Sequence, residues 1–260
     1  MNCLTWNCRE LGNPCTVQEL ARLVRAQDPT VVFLIETWQE EGPLERLRCF
    51  LNFDNKFVVK SRNKGGGLCL LWKGVVNARV QSFSHSHIDV IINETLHDAW
   101  RLTGFYGAPD THRRGESWEL LRRLKAQFSL PWVCMGDFNE ILKAEEKFGR
   151  LDRPETQMQQ FRDVVDACGF MDLGFTGPRF TWTNNRPRDM TWERLDRVLA
   201  TSDWLMLFPC ARVHHLDGKF SDHRPLWLGT EPLFHPSKKC FKFEEMWTSE
   251  KGCEDTIAES

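Results

Sequence analysis

The chain has 260 residues, 41% of them apolar and 12% aromatic with eleven tryptophans, enough for a substantial core and too aromatic for a disordered segment. A net charge of −2, from 34 basic and 36 acidic residues, excludes a chain whose bulk charge alone announces a polyanion partner. The longest apolar run, Val31–Ile35, cannot span a bilayer, and Met1–Trp6 has neither the basic nor the apolar region of a secretory signal. The ten cysteines fall singly, with no Cys-x-x-Cys. An intracellular protein with reduced thiols is expected, nuclear or cytoplasmic, not secreted and with no membrane partner.

Leu4–Trp6 reads as a short strand ending at Asn7. Thr16-Val17-Gln18-Glu19 has capping-box spacing, and Val17, Leu20, Ala21, Leu23 and Val24 mark a helical face that Asp28-Pro29 stops. Thr30–Ile35 is a β-branched buried strand with Glu36 at its end. A helix over Leu44–Leu51 precedes strand-like runs at Lys56–Lys60, Leu68–Trp72, Ala78–Phe83, Ile88–Ile92 and Arg101–Tyr106, the first two joined by a tight turn at Gly65-Gly66-Gly67. Ser117–Phe128 is amphipathic, Trp132–Met135 runs as a strand into Asp137, and Met158–Cys168 is a helix closed by Gly169. Arg179–Asn184 and Thr191–Leu199 read as two strands around an exposed hairpin, Asn185–Asp189, with a basic tip. A short helix at Asp203–Phe208 and strands at Ala211–Leu216 and Pro225–Leu228 complete one domain, residues 1–230; residues 231–260 turn polar and irregular, as a linker does.

Many short strands, at least four helices and no strict βαβ alternation predict an α/β (α+β) fold. The expected form is a four-layer αββα sandwich, two packed mixed β-sheets with helices outside. Polar residues recur where strands end: Asn7, Glu36, Tyr106, Asp137 with Asn139, Asp196, and Asp222-His223. Singly, each has an ordinary explanation as a turn cap, a loop start or a member of a surface ion pair. Together, Asp, Asn and His on rigid strand ends suit a divalent metal, an activated water and a phosphate to cleave. Two Arg-rich stretches, His112–Lys125 and Arg179–Arg197, read singly as solvated faces.

Thr5-Trp6-Asn7-Cys8-Arg9, Phe33-Leu34-Ile35-Glu36-Thr37, Gly104-Phe105-Tyr106-Gly107, Gly136-Asp137-Phe138-Asn139, Arg194-Leu195-Asp196-Arg197 and Ser221-Asp222-His223 resemble, in order, the motifs of the endonuclease/exonuclease/phosphatase family. Trp6–Arg9, Phe180–Asn185 and Glu193–Arg197 narrow the likeness to the apurinic-endonuclease-like domain of plant LINE-type non-LTR retrotransposons. Phe241–Trp247 resembles the connector to a reverse transcriptase, making residues 231–260 a remnant of that connector.

The resemblance implies a DNA endonuclease that uses Mg²⁺ or Mn²⁺, nicks one strand and leaves a 3′-hydroxyl. Asp137 would orient and deprotonate water, and Asn139 would donate to it or to a phosphate oxygen. Glu36, Asn7 and Asp222 offer hard oxygen ligands, Asn7 counting also in the catalytic set. His223, held by Asp196, either donates to the phosphate or acts as general base. Tyr106, the one tyrosine, is expected on a phosphate, and Arg186, Arg188 and Arg9 on DNA.

Two positions depart from the family pattern. Relatives that repair abasic sites carry Asp where this chain has Arg9, which weakens an abasic-repair assignment; Glu10 stands where LINE relatives have Gly, at a turn that favours positive φ. Two other functions fit the same residues. One is a phosphatase or phosphodiesterase acting on a small phosphoester, the other a non-catalytic, nucleic-acid-binding remnant.

Overall fold

In the computed structural model, residues 1–61, 66–94 and 98–231 are described; Gly65 and all of the expected linker beyond Glu231 lie outside them. β1 (Asn2–Asn7) and β2 (Val31–Ile35) run parallel, so a crossover must join them, and α1 (Pro14–Gln27) supplies it. α2 (Glu41–Phe50) leads to β3 (Asn55–Val59) and β4 (Leu68–Trp72); β5 (Ala78–Ser84), β6 (His87–Ile92) and β7 (Trp100–Tyr106) then form a meander. α3 (Arg114–Gln127), β8 (Trp132–Asp137), β9 (Lys147–Phe148), α4 (Glu155–Cys168) and β10 (Phe170–Asp172) follow. β11 (Trp182–Thr183), β12 (Trp192–Glu193), β13 (Asp196–Thr201), α5 (Ser202–Leu207), β14 (Arg212–His215) and β15 (Leu226–Gly229) complete the order.

Hydrogen bonding sorts these strands into two mixed six-stranded sheets, β14-β15-β1-β2-β4-β3 and β10-β13-β8-β7-β6-β5, and a small β11-β12-β9 sheet. Side-chain alternation decides the layering. Val31, Phe33 and Ile35 enter a core shared with Val90, Leu102, Val133 and Val198 of the second sheet. Val32 and Leu34 face the other way, onto Leu20 and Leu23 of α1 and Leu44 and Leu47 of α2. In the second sheet Phe105, Trp132 and Leu199 pack outward against Trp118 and Leu121 of α3 and Phe161 and Val164 of α4. The layers are helix, sheet, sheet, helix, as the pattern predicts.

Three features differ from expectation. No capping box forms at Thr16, because α1 starts earlier: Pro14 needs no N–H partner there, and Asn13 Oδ1 accepts from the Cys15 N–H at 2.9 Å. Glu19 is instead buried and accepts from the backbone N–H groups of Lys219 and Phe220 at 3.0 Å. Thr191–Leu199 is not one strand, since β12 and β13 belong to different sheets, and of Arg179–Asn184 only Trp182–Thr183 forms a strand. Arg194 and Arg197 are not on a solvated face; Glu146 and Asp172 grip both at 2.8–2.9 Å. Burial favours protonating Asp172, but the Arg197 and Arg194 guanidiniums outweigh it and hold the carboxyl at about 2.

Gly136 sits at φ 143°, where a Cβ would stand 2.1 Å from the Phe105 carbonyl oxygen on the neighbouring strand. Gly136→Ala is expected to lower stability by about 3 kcal/mol, through overpacking and backbone strain together. The readout is a lower urea midpoint at unchanged slope. An unaltered midpoint would show that the strand tolerates a side chain there.

Among the described residues no helix is long and apolar enough to cross a membrane, and the eight described cysteines are free.

Candidate active site

Sheet register gathers the polar strand ends on one rim. Asn7 is aligned with Ile35, just before Glu36, and Asp137 with both Tyr106 and Asp196. Asn7 Nδ2 lies 3.0 Å from Glu36 Oε1 and from Asp137 Oδ2, and 3.5 Å from His223 Nε2. The Tyr106 hydroxyl donates to Glu36 Oε1 at 2.8 Å. His223 Nδ1 meets Asp196 Oδ2 at 2.8 Å, and its Nε2 stands 3.7 Å from Asp137 Oδ2. Asn139 donates through its N–H to Asp137 Oδ1 at 2.8 Å, and through Nδ2 to Asp137 Oδ2 at 3.1 Å and the Gly107 carbonyl at 2.9 Å. Those three bonds consume the donors expected for water or phosphate, so Asn139 aligns Asp137. Tyr106 likewise spends its proton on Glu36.

Seven of the expected residues, Asn7, Glu36, Tyr106, Asp137, Asn139, Asp196 and His223, thus form one network. Glu36 and Asn139 sit at φ 53° and 54°, left-handed conformations that cost energy and that the surrounding bonds enforce. Asp222 stands apart: its Oδ2 accepts from Arg9 Nη1 at 2.6 Å and from the Trp182 indole at 3.1 Å. Arg9, Asp222 and Arg186 line a cleft of about 620 Å³ with Glu36 and His223, whereas the exposed Arg188 is not in its lining. Glu10 adopts φ 83°, so the turn expected to favour glycine carries that strain.

Some residues that lie within the matched motif fragments, but to which the sequence assigned no role, position the others. Thr181 Oγ1 accepts from the N–H groups of Leu195 and Asp196 at 3.0 Å, while its carbonyl accepts from Arg224 N–H at 2.7 Å. Thr183 N–H donates to the Asp222 carbonyl at 3.1 Å. The Trp6 indole donates to the His223 carbonyl at 3.0 Å, and Ser221 Oγ to the Asn7 carbonyl at 2.8 Å.

Burial raises Asp137; the His223 cation and the Asn7 amide pull it back while Asp196 adds to the rise, leaving it at about 7. For His223, burial opposes the cation, but the carboxylates of Asp196 and Asp137 outweigh it and lift the imidazolium to about 10. Near neutrality His223 therefore holds a proton and Asp137 is poised to take one. Tyr106 is raised by burial and then by Glu36, so its phenol stays protonated.

Among the described residues, two donor sets are available to a cation. Asp137, Asp196 and His223 offer ligand atoms all within 4.8 Å of one another, but His223 Nδ1 is already bonded to Asp196 and the trio is arranged around a proton. Glu36 and Asn7 fit a hard cation better, since Asn7 Oδ1 is buried with no hydrogen-bond partner. Asp222, expected as a third ligand, is engaged by Arg9 and Trp182 instead.

The sequence model of the Endonuclease/Exonuclease/phosphatase family matches residues 4–223. No curated protein matches the chain. Several solved structures are similar in fold. The 3′-5′ exonuclease NExo from Neisseria meningitidis superposes with a TM-score of 0.67 at 15% identity, covering 89% of this chain and 100% of that one. The AP endonuclease LMAP from Leishmania major gives 0.68 at 16% identity, covering 89% and 88%. The endonuclease domain of TRAS1, a telomere-specific non-LTR retrotransposon, gives 0.65 at 16% identity, covering 89% and 99%.

Proposed function

The chain belongs to the endonuclease/exonuclease/phosphatase family, and we propose that it is a metal-dependent DNA endonuclease of LINE-type retroelement origin that nicks one strand and leaves a 3′-hydroxyl. The observation that carries this reading is the meeting of Glu36, Asp137 and His223 on the Asn7 amide, four groups from separate parts of the chain. The nucleases among the similar structures support a nucleic-acid substrate.

Asp137, aligned by Asn139 and Asn7, takes the proton of an attacking water. The water oxygen bonds to phosphorus as the bond to the 3′-oxygen breaks, and that oxygen takes a proton from solvent, giving a 3′-hydroxyl and a 5′-phosphate. His223 donates from Nε2 to a non-bridging oxygen while Asp196 holds Nδ1–H; its raised pKa supports this donor role over that of general base. Glu36 and Asn7 would hold Mg²⁺ or Mn²⁺, which when bound supplies positive charge to the crowded phosphate. Tyr106 positions Glu36. Arg186 and Arg188 extend the β11–β12 hairpin toward DNA, and Arg9, paired with Asp222, borders the cleft.

Supercoiled plasmid should be nicked with Mg²⁺ and left intact in EDTA, and the nicks should prime a polymerase. In the same assay, Arg186→Ala with Arg188→Ala should change the nick positions. Phosphate release from small phosphoesters with the plasmid uncut would overturn the reading, and an unchanged nicking pattern would remove the hairpin's part in it.

A further inference from the structure

Glu140 directly follows Asn139 and is wholly buried. Its Oε2 accepts from Arg114 Nη1 at 2.5 Å, and its Oε1 from Ile141 N–H at 2.9 Å while lying 3.1 Å from Arg153 Nε. Arg153 Nη2 donates at 2.6 Å to Glu193 Oε2, whose other oxygen takes the Lys147 ammonium. The result is an alternating ladder, Arg114–Glu140–Arg153–Glu193–Lys147, along the wall of the catalytic cleft that Arg114, Lys147, Arg153 and Glu193 line.

Ion pairing that merely braced the catalytic loop would balance its charges, and this ladder does not. All four carboxylate oxygens are engaged, yet three cations face two anions. Among the described residues, Arg114 Nη2 and Arg153 Nη1 have no acceptor. The side chains are only 9%, 16% and 13% exposed for Arg114, Lys147 and Arg153, so they are already held in place. Ordered guanidinium donors without partners, beside a surplus charge, are what an oxyanion binds at little entropic cost.

We propose that Arg114, Lys147 and Arg153 form a second phosphate subsite, so that the substrate is an oligonucleotide gripped at two phosphates and not a lone phosphoester. The proposal rests on the nuclease reading for its ligand class. The intact chain, in EDTA, is titrated with labelled oligodeoxynucleotides of increasing length, starting from a mononucleotide, over a range of salt. Affinity should climb steeply once the ligand is long enough to reach both subsites. Lys147→Gln with Arg153→Gln should flatten that climb and reduce the slope of log affinity against log salt by about 1–2. An unchanged slope overturns the subsite.

Because these replacements strip Glu140 and Glu193 of partners and can unfold the chain, a second measurement uses the unaltered protein. Amine acylation of Lys147, read by mass spectrometry, should be blocked by a long oligonucleotide and not by a mononucleotide; equal labelling with both overturns the proposal. A chain protected in this way that leaves plasmid uncut refutes the nuclease reading and keeps the subsite. Nicking without protection does the reverse.

Discussion

Asp137→Asn is expected to slow plasmid nicking by about 10⁴-fold, the scale of losing the group that takes the water's proton together with its alignment. The carboxylate is wholly buried and accepts from the Asn7 amide, the Asn139 amide and the Asn139 N–H, so its position is fixed from several sides. Burial, only partly offset by the His223 cation, brings it to about 7, a value suited to accepting a proton at neutral pH. An amide of the same shape has no basic oxygen and presents a donor where the site supplies only donors. Single-turnover nicking with saturating Mg²⁺ measures the loss, with the urea midpoint as a control for folding. Nicking within tenfold of the parent would mean that another group takes the proton.

The second large effect is at Asp196. Asp196→Asn is expected to slow nicking by about 10²-fold, comparable to weakening one preorganised donor to the developing charge. Its pH signature is more telling than its size. In the parent, activity rises as Asp137 ionises through about 7, a limb that a bound cation displaces downward, and falls as His223 loses its proton through about 10. Without the Asp196 charge, burial of the imidazole is opposed mainly by Asp137, so the alkaline limb moves toward neutrality. A general base at His223 would behave oppositely, with activity appearing only as the imidazole deprotonates. An alkaline limb that stays near 10 in Asp196→Asn would sink the donor assignment. His223→Ala should be at least as slow as Asp196→Asn, and the double replacement no slower than His223→Ala, because the two act as one unit.

The sandwich was legible because β2 and β8 are short continuous apolar runs, as strands covered on both faces are, and because Asp28-Pro29 and Gly169 mark the ends of α1 and α4. Asn7, Glu36, Asp137 and His223 were legible for a related reason: a polar residue at the end of a buried strand, or just ahead of one as His223 is of β15, has few structural uses. Asp222 shows where that logic stops, since being adjacent to His223 did not reveal that Arg9 and the Trp182 indole would claim its oxygen. Thr16 and Glu19 had the spacing of a cap, but spacing does not show that Pro14 has already opened the helix and that Glu19 serves two amides two hundred residues away. Arg114, Lys147 and Arg153 were invisible as a group because they come from a helix start, a two-residue strand and a loop, with no period to connect them. Their common factor, a pair of buried glutamates, exists only in three dimensions.

Thr181–Thr183 bonds on one side to Leu195 and Asp196, at the start of β13, and on the other to Asp222 and Arg224, just ahead of β15. The same few residues continue directly into the loop bearing Arg186 and Arg188. The arm that reaches outward and the bracket that keeps imidazole against carboxylate are therefore one piece of polypeptide. If the proposed function holds, exchanging the tip of that loop should redirect it while the stem is carried over unchanged, because a twist in the stem would unseat the Asp196–His223 pair as well.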